Sequence, residues 1–399
     1  MSEIFVISFC VFIACGYFME IEKKKARILL VVRWPIGGIR TYLKYIIPLL
    51  ADEFLEFDII SVSANNSESL REEIGTHISN WYVVPEEEYS LVKFALKVVG
   101  LAKKNNYDII HAHGFTSMIA AAGAGKLTSG KTVVTSHDIL DRKLFSGFKG
   151  TLKRWVLGWA IDDCSAIQSV STGAEANLIE VYPSFKKRST VILNGIHGEQ
   201  FVKADATDLR AMLKISSDVV LIGFFGRFMN QKGFKYLVEA IDSLNSREDK
   251  QRFHVACFGG GAYVREEKAQ LDRRGLIDYF SFMPFMTDVS SAMKGCDLIV
   301  MPSLWEACPL QPMEALCAGV PFVGSDCVGL GEVLELTPAL QFRAGDSADL
   351  ERSIIKCIEI GTQPFKDYIP KAAERFSVRT TAKNLKSLYA KVLQGELSK

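Results

Sequence analysis

Eleven short, nearly all-apolar runs punctuate this chain, and most are followed by a longer stretch of mixed polarity. Six lie in the first half: ARILLVV (26–32), FDIISVSA (57–64), YDIIHAH (107–113), KTVVTSH (131–137), AIQSVS (166–171) and STVILNG (189–195). Five more follow: VVLIGFFG (219–226), FHVACFGG (253–260), YFSFMPF (279–285), CDLIVMPS (296–303) and VPFVGSD (320–326). Runs of this length, rich in Val and Ile, read as strands buried on both faces. Alternation with helical stretches predicts parallel sheets covered on each side. A polar stretch, EQFVKADATDLRAML (199–213), interrupts the alternation once. The fold class is therefore α/β, with two Rossmann-like doubly wound domains facing across a cleft. The expected bounds are 26–200 for the first domain and 201–375 for the second. Residues 376–399 form a terminal helix. The length of 399 residues suits two domains of ordinary size.

The chain carries 47 basic and 46 acidic residues, a formal charge of +1. No basic block of the kind that tracks a phosphate backbone is present, so nucleic acid is not an expected partner. The nine cysteines include no CxxC pair. That argues against a zinc site or a disulfide framework and for a reducing compartment, hence a cytoplasmic protein. Residues 1–25 stand apart. IFVISFCVFIACGYFM (4–19) is almost wholly apolar and precedes EIEKKKAR. Sixteen residues fall short of the about twenty a spanning helix needs. Three readings fit: translation starting at Met19, an anchor holding the rest at the inner face of a membrane, or an extra buried element.

In open α/β sheets, ligands sit beyond the carboxyl ends of strands, so the loops leaving these runs hold the chemistry. RWPIGGIRTYLKYI (33–46) offers Gly37 and Gly38 at a helix start, where free N–H groups suit an anion. An ordinary tight turn fits as well. HAHG (111–114) puts His111 and His113 at strand positions i and i+2, on one face. No third ligand stands nearby, so hydrogen bonding at the cleft is the better reading than metal. His137 and Asp138 close the next run on the same sheet edge.

GRFMNQKG (226–233) places Arg227 and Lys232 between a strand end and a helix start, an arrangement suited to a diphosphate. LWEACPLQPMEAL (304–316) sets Glu306 in an exit loop and Glu314 in the first turn of a helix that Gly319 and Pro321 stop. The N–H groups around 308–310 lie between them. Carboxylates accept hydrogen bonds from vicinal hydroxyls. An anion cradle flanked by two such carboxylates fits a diphosphate joined to sugars on both sides, that is, a nucleotide sugar.

With these motifs in this order, the chain resembles the retaining GT-B glycosyltransferases of family 4, the "glycosyl transferases group 1". The likeness runs from about residue 26 to the end. It implies an enzyme moving a sugar from a UDP- or GDP-linked donor to a glycan or lipid-linked acceptor, with no cofactor and no metal. Cell-surface polysaccharide or lipopolysaccharide synthesis is the implied setting. By the resemblance, His113 and Glu306 are catalytic. Glu306 contacts the hydroxyls of the transferred sugar, and Glu314 holds the ribose. Gly37, Gly38, Arg227, Lys232, Cys308, Pro309 and Leu310 serve the donor. Met283 and Pro284 lie in the nucleobase loop. Three positions depart from the family pattern. His197 stands where Asp is usual, Gly260 where an acid is common, and Pro284 where Gly is frequent. They leave the donor's identity open.

Two other readings fit two α/β lobes: a GT-B epimerase of nucleotide sugars and, from another class, a non-catalytic two-lobe sugar-binding protein of the periplasmic kind. A phosphorylase with bound pyridoxal phosphate is disfavoured by the ordered motif set. On the acceptor side, KLFSGFKGTLKRWVLGWAIDD (143–163) mixes Lys and Arg with Phe and Trp. Such a helix either rests on an anionic membrane surface or buries its tryptophans in the domain.

Overall fold

The computed structural model describes residues 25–63, 67–247, 252–261, 263–284, 286 and 288–397. The apolar run at 4–19 therefore lies outside the described residues. Seven parallel strands build the first sheet: β1 (Ala26–Val32), β2 (Leu55–Val62), β3 (Asn80–Val84), β4 (Ile109–His113), β5 (Lys131–Ser136), β6 (Ala166–Ser169) and β7 (Ser189–Val191). Six build the second: β8 (Val219–Phe225), β9 (Arg252–Phe258), β10 (Phe280–Met283), β11 (Leu298–Met301), β12 (Phe322–Ser325) and β13 (Leu340–Phe342). The spatial orders are β3-β2-β1-β4-β5-β6-β7 and β10-β9-β8-β11-β12-β13. Both sheets turn back on themselves at the first strand, which makes β1/β4 and β8/β11 the switch points.

The central strands are buried on both faces. The last five residues of β1 and the last six of β8 have almost no solvent contact. Helices supply the cover. Gly37–Leu50 lays Tyr42, Leu43, Ile46, Ile47 and Leu50 inward at helical spacing. Phe234–Asn245 does the same in the second lobe with Phe234, Leu237, Val238, Ile241 and Leu244. Two strands escape the sequence pattern, β3 and β13. Each is a short edge strand broken by a polar residue, Asn80 at the start of β3 and Gln341 in the middle of β13, so neither reads as an apolar run.

The lobes are tied at several points. Ser171 Oγ donates to the Ala307 carbonyl at 2.5 Å, and Asn194 Nδ2 to the Cys308 carbonyl at 2.9 Å. The Glu332 carboxylate accepts from the N–H groups of Thr172 and Gly173, each at 3.1 Å. The terminal helix Val378–Gln394 leaves the second lobe and packs on Gly37–Leu50 of the first. There it places Ala382, Leu385, Leu388, Tyr389 and Val392 in the same apolar cluster as Ile28, Leu30 and Val32 of β1.

Candidate active site

Two adjacent loops of the second lobe build one wall of the cleft. After β8 the chain passes Gly226 and Arg227, makes a single turn at Asn230–Lys232, and enters the helix Phe234–Asn245 through Gly233. Gly233 has φ +64°, and a Cβ there would fall 1.9 Å from the Pro302 carbonyl oxygen. Only glycine fits. That close approach lets the loop after β11 lie against it. Leu304 N–H donates to the Gln231 carbonyl, and Gln231 Nε2 donates to the Trp305 carbonyl, both at 2.8 Å. The result is a short ion pair, Lys232 Nζ to Glu306 Oε1 at 2.7 Å, with both side chains mostly shielded from water.

The same loop continues into the helix Gln311–Ala318, with Pro312 in its first turn, where a missing N–H costs nothing. Gly319 ends it in the left-handed conformation. Among the described residues no backbone carbonyl accepts from the N–H groups of Cys308 or Leu310, which leaves them for an anion. Pro309 between them has no N–H and shapes the loop. Glu314 is buried in the first helical turn. Burial pushes its carboxyl up to about 7, and the nearby charge of Asp288 adds to the effect. Burial likewise pushes the Cys308 thiol up to about 12, so it is no nucleophile at neutral pH.

The opposite wall comes from the first lobe. Gly37, at φ +59°, leads into its helix, and the Arg227 guanidinium crosses the cleft to lie against it, within 3.8 Å of where a Cβ would sit. Gly38 has open space on its Cα. Between the walls lies a cavity of about 570 Å³. It is lined by Gly37, Gly38, Arg227, Lys232, Glu306, Cys308, Pro309, Leu310 and Glu314, so one cavity gathers nine of the twelve residues singled out in the sequence. Its size suits a ligand larger than a simple metabolite.

Three of the twelve lie elsewhere. His113 is buried and does not line the cavity; His137 does. β4 ends at His113, whereas the chain after β5 runs on past it and lays His137 over the top. The two rings stack, with His113 Nδ1 and His137 Nε2 at 3.1 Å. The cleft histidine is thus His137, with His113 behind it. Met283 and Pro284 do not line the cavity either. Met283 ends the edge strand β10 and packs against the second-lobe core, and Pro284 follows it. The next residue, Phe285, is outside the described residues.

The histidines form a neutral stack. His111 Nδ1 meets the Tyr389 hydroxyl at 2.6 Å, and its Nε2 meets Thr135 Oγ1 at 2.8 Å. Burial pulls both His111 and His137 down to about 3, and His113 well below its ordinary value. Beside them Asp138 faces the cavity; its carboxyl is raised by desolvation and held back by Arg227.

Among the cavity residues to which the sequence assigned no role, two stand out. Asn194 leaves its Oδ1, and Gln311 its Nε2, buried without a hydrogen-bond partner at the cavity wall. Such atoms are costly to bury unless a ligand completes them. Asn194 stands in the NG pair that closes the run at 189–195, so a polar residue at a strand exit was its visible signal. His197, one of the departures, packs edge-on against Tyr45 and does not line the cavity. Among the described residues no three His, Cys, Asp or Glu side chains are grouped to hold a metal ion.

Two parallel sheets with a cation-and-carboxylate cleft between them define a two-lobed GT-B protein. Residues 36–200 match the family described as Glycosyltransferase Family 4, and residues 220–359 the family described as Glycosyl transferases group 1. The matches fall one on each lobe. The chain belongs to the GT-B glycosyltransferases of family 4 type. Among its relatives is the D-inositol 3-phosphate glycosyltransferase of Corynebacterium urealyticum, 26% identical over 88% of this chain and 90% of the relative. The lipopolysaccharide core biosynthesis mannosyltransferase LpsB of Rhizobium meliloti is 29% identical over 50% of this chain and 56% of its own length. Of solved structures, Anabaena HepE in complex with UDP and glucose superposes with a TM-score of 0.78 at 22% identity, covering 92% of this chain and 99% of that one. No helix among the described residues is long and apolar enough to cross a membrane.

Proposed function

We propose that this chain transfers a sugar from a nucleotide-diphosphate donor to a glycan or lipid-linked acceptor with retention of anomeric configuration. The observation that carries the reading is the cavity itself. Two cations, the carboxylates of Glu306 and Glu314 and the N–H groups of Cys308 and Leu310 face one space, with Asp138 on the opposite wall.

The donor's diphosphate lies between Arg227 and Lys232, with the N–H groups of Cys308 and Leu310 completing its shell. These groups stabilise the charge that develops on the leaving group. Lys232 is already held by Glu306, so diphosphate binding shares an existing cation and needs no reorganisation of the loop. Glu306 accepts from the hydroxyls of the transferred sugar. Glu314 accepts from the ribose diol. No further carboxylate of the cavity stands out as a nucleophile, which favours a same-face displacement. The acceptor oxygen bonds the anomeric carbon on the face from which the diphosphate departs. As the carbon–oxygen bond to phosphate breaks, the acceptor's proton passes to a phosphate oxygen. His137, neutral and at the acceptor-side wall, orients the reacting sugar by hydrogen bonding.

Relatives acting on lipopolysaccharide core and on inositol phosphate support a sugar or polyol acceptor, and the UDP complex of Anabaena HepE supports a uridine donor. The test is thermal stabilisation by UDP, GDP, ADP and CMP, since a ligand bound only by the folded state must raise its melting temperature. One nucleotide is expected to stabilise the wild type and not Glu314→Ala. No shift with any of the four would remove the donor site.

A further inference from the structure

The helix Gly147–Asp163 is half buried and half bare. Its second half anchors it through Ala160 and Ile161. Its first half stands proud of the lobe, and from Gly147 to Trp155 only Gly150 is buried. One face of the bare portion is apolar. Phe148 is 87% exposed, Trp155 69%, Leu152 54%, and Leu144 just ahead of the helix 49%. Phe148, Leu152 and Trp155 stand at i, i+4 and i+7, so they share one face. The half-buried Trp159 continues the stripe, and the Lys126 ammonium sits 5.1 Å from its ring. Lys149 and Lys153 flank it. From residue 142 to 161 the chain has five cations (Arg142, Lys143, Lys149, Lys153 and Arg154) and no acidic residue.

An exposed stripe of this kind on a soluble lobe marks something that covers it. Its neighbours point to one occupant. An apolar ridge of Phe, Leu and Trp edged by lysines, with no acid within the segment, is complementary to a surface that is apolar within and negative at its rim. We propose that this helix lies in the interfacial plane of an anionic lipid bilayer, with Phe148, Leu152 and Trp155 in the acyl boundary and the lysines at the headgroups. Of the two tryptophans that the sequence left between burial and membrane contact, Trp155 faces solvent and Trp159 is half-buried.

Placement relative to the cleft follows from the chain. Phe148 is ten residues beyond Asp138, which lines the cavity, so the two are at most about 35 Å apart. If the transfer reading holds, the docked helix brings the acceptor-side wall towards the membrane and favours a lipid-linked acceptor. The docking does not itself depend on that reading.

The experiment uses the full chain and vesicles of phosphatidylcholine, with or without one-third phosphatidylglycerol, some carrying brominated acyl chains. Co-sedimentation with the anionic vesicles and quenching of tryptophan fluorescence by the brominated lipid are expected. Phe148→Ser with Trp155→Ser, and separately Lys149→Glu with Lys153→Glu, are each expected to weaken vesicle binding about tenfold or more. Trp155→Phe should keep binding and lose most of the quenching. Stabilisation by nucleotide should be the same in all of them, which separates this test from that of the donor site. Three results would overturn the proposal: no binding to anionic vesicles, equal binding by every variant with no quenching, or a wild-type dimer that Phe148→Ser with Trp155→Ser turns into monomer. The last would make the stripe a contact between copies of the chain.

Discussion

The two walls of the cleft are built by the same device and do opposite things with it. Each is the carboxyl edge of a doubly wound sheet, centred on its first strand. The second-lobe wall is charged: Arg227, Lys232, Glu306 and Glu314 all face the cavity. The first-lobe wall shows two glycines and a histidine held neutral, with Asp138 as its carboxylate. Topology fixes where a ligand goes. Side-chain chemistry at the strand exits then decides which half of the ligand each lobe receives. A charged wall suits a diphosphate ester; a nearly neutral one suits a sugar hydroxyl that must approach without competing for the cations.

The largest break in this asymmetry is expected from Glu306→Ala. Turnover should fall by roughly 100-fold or more, as for loss of a group that acts on the reacting sugar. The melting temperature should change far less. Initial rates and thermal melts on the same preparation check it, and unimpaired turnover would take Glu306 out of the chemistry. Next comes the pair Arg227→Ala with Lys232→Ala. Nucleotide affinity should drop by about tenfold or more, with much of its salt dependence lost. Titration at two ionic strengths measures both.

Glu314 and the first-lobe histidines should also titrate in opposite senses. Glu314 has its carboxyl raised from 4.5 to about 7. Between those values the folded state binds more protons than the unfolded one, so stability falls as pH rises, by on the order of 3 kcal/mol at most. The histidines are lowered from 6.5 to about 3. There the unfolded state binds more protons, so stability falls as pH drops below 6.5. Denaturant midpoints from pH 4 to 8 should show Glu314→Gln flattening the first slope and His137→Gln part of the second. If either substitution left both slopes unchanged, the asymmetry would not be electrostatic. The smallest effect is expected where the lobes merely touch. Ser171→Ala removes a helix cap to the Ala174 N–H and the bond to Ala307, and should cost about 1–2 kcal/mol. Urea melts would read it.

Much of this was legible in the residues. Central strands are continuous apolar runs, so β1 and β8 were readable almost to the residue. β3 and β13 were not, because Asn80 opens the one and Gln341 splits the other, whereas the edge strands β7 and β10 lie within longer apolar runs. Glu306 and Glu314 could be placed by the proline and glycine that bound their helix. Which histidine meets the cleft could not. That depends on the chain beyond β5 reaching past the end of β4, and period-two reasoning sees only the faces of a strand. The Lys232–Glu306 pair spans 74 positions and forms because Gly233 lets two loops touch. Nothing in the local sequence announces such a contact. Trp155 was undecided for a related reason: helical spacing defines a stripe but not what covers it.

The return of the last helix to the first lobe has a consequence for biosynthesis. The apolar cluster behind β1 is completed by Leu385, Leu388, Tyr389 and Val392, and Tyr389 closes the hydrogen bond to His111. Those residues leave the ribosome only after the second lobe has been made. The lobe made first therefore waits, with part of its interior open, until the lobe made second has emerged. A chain cut short before Val378 would lose the piece that finishes its beginning, and the first-lobe wall of the cleft would fail with it.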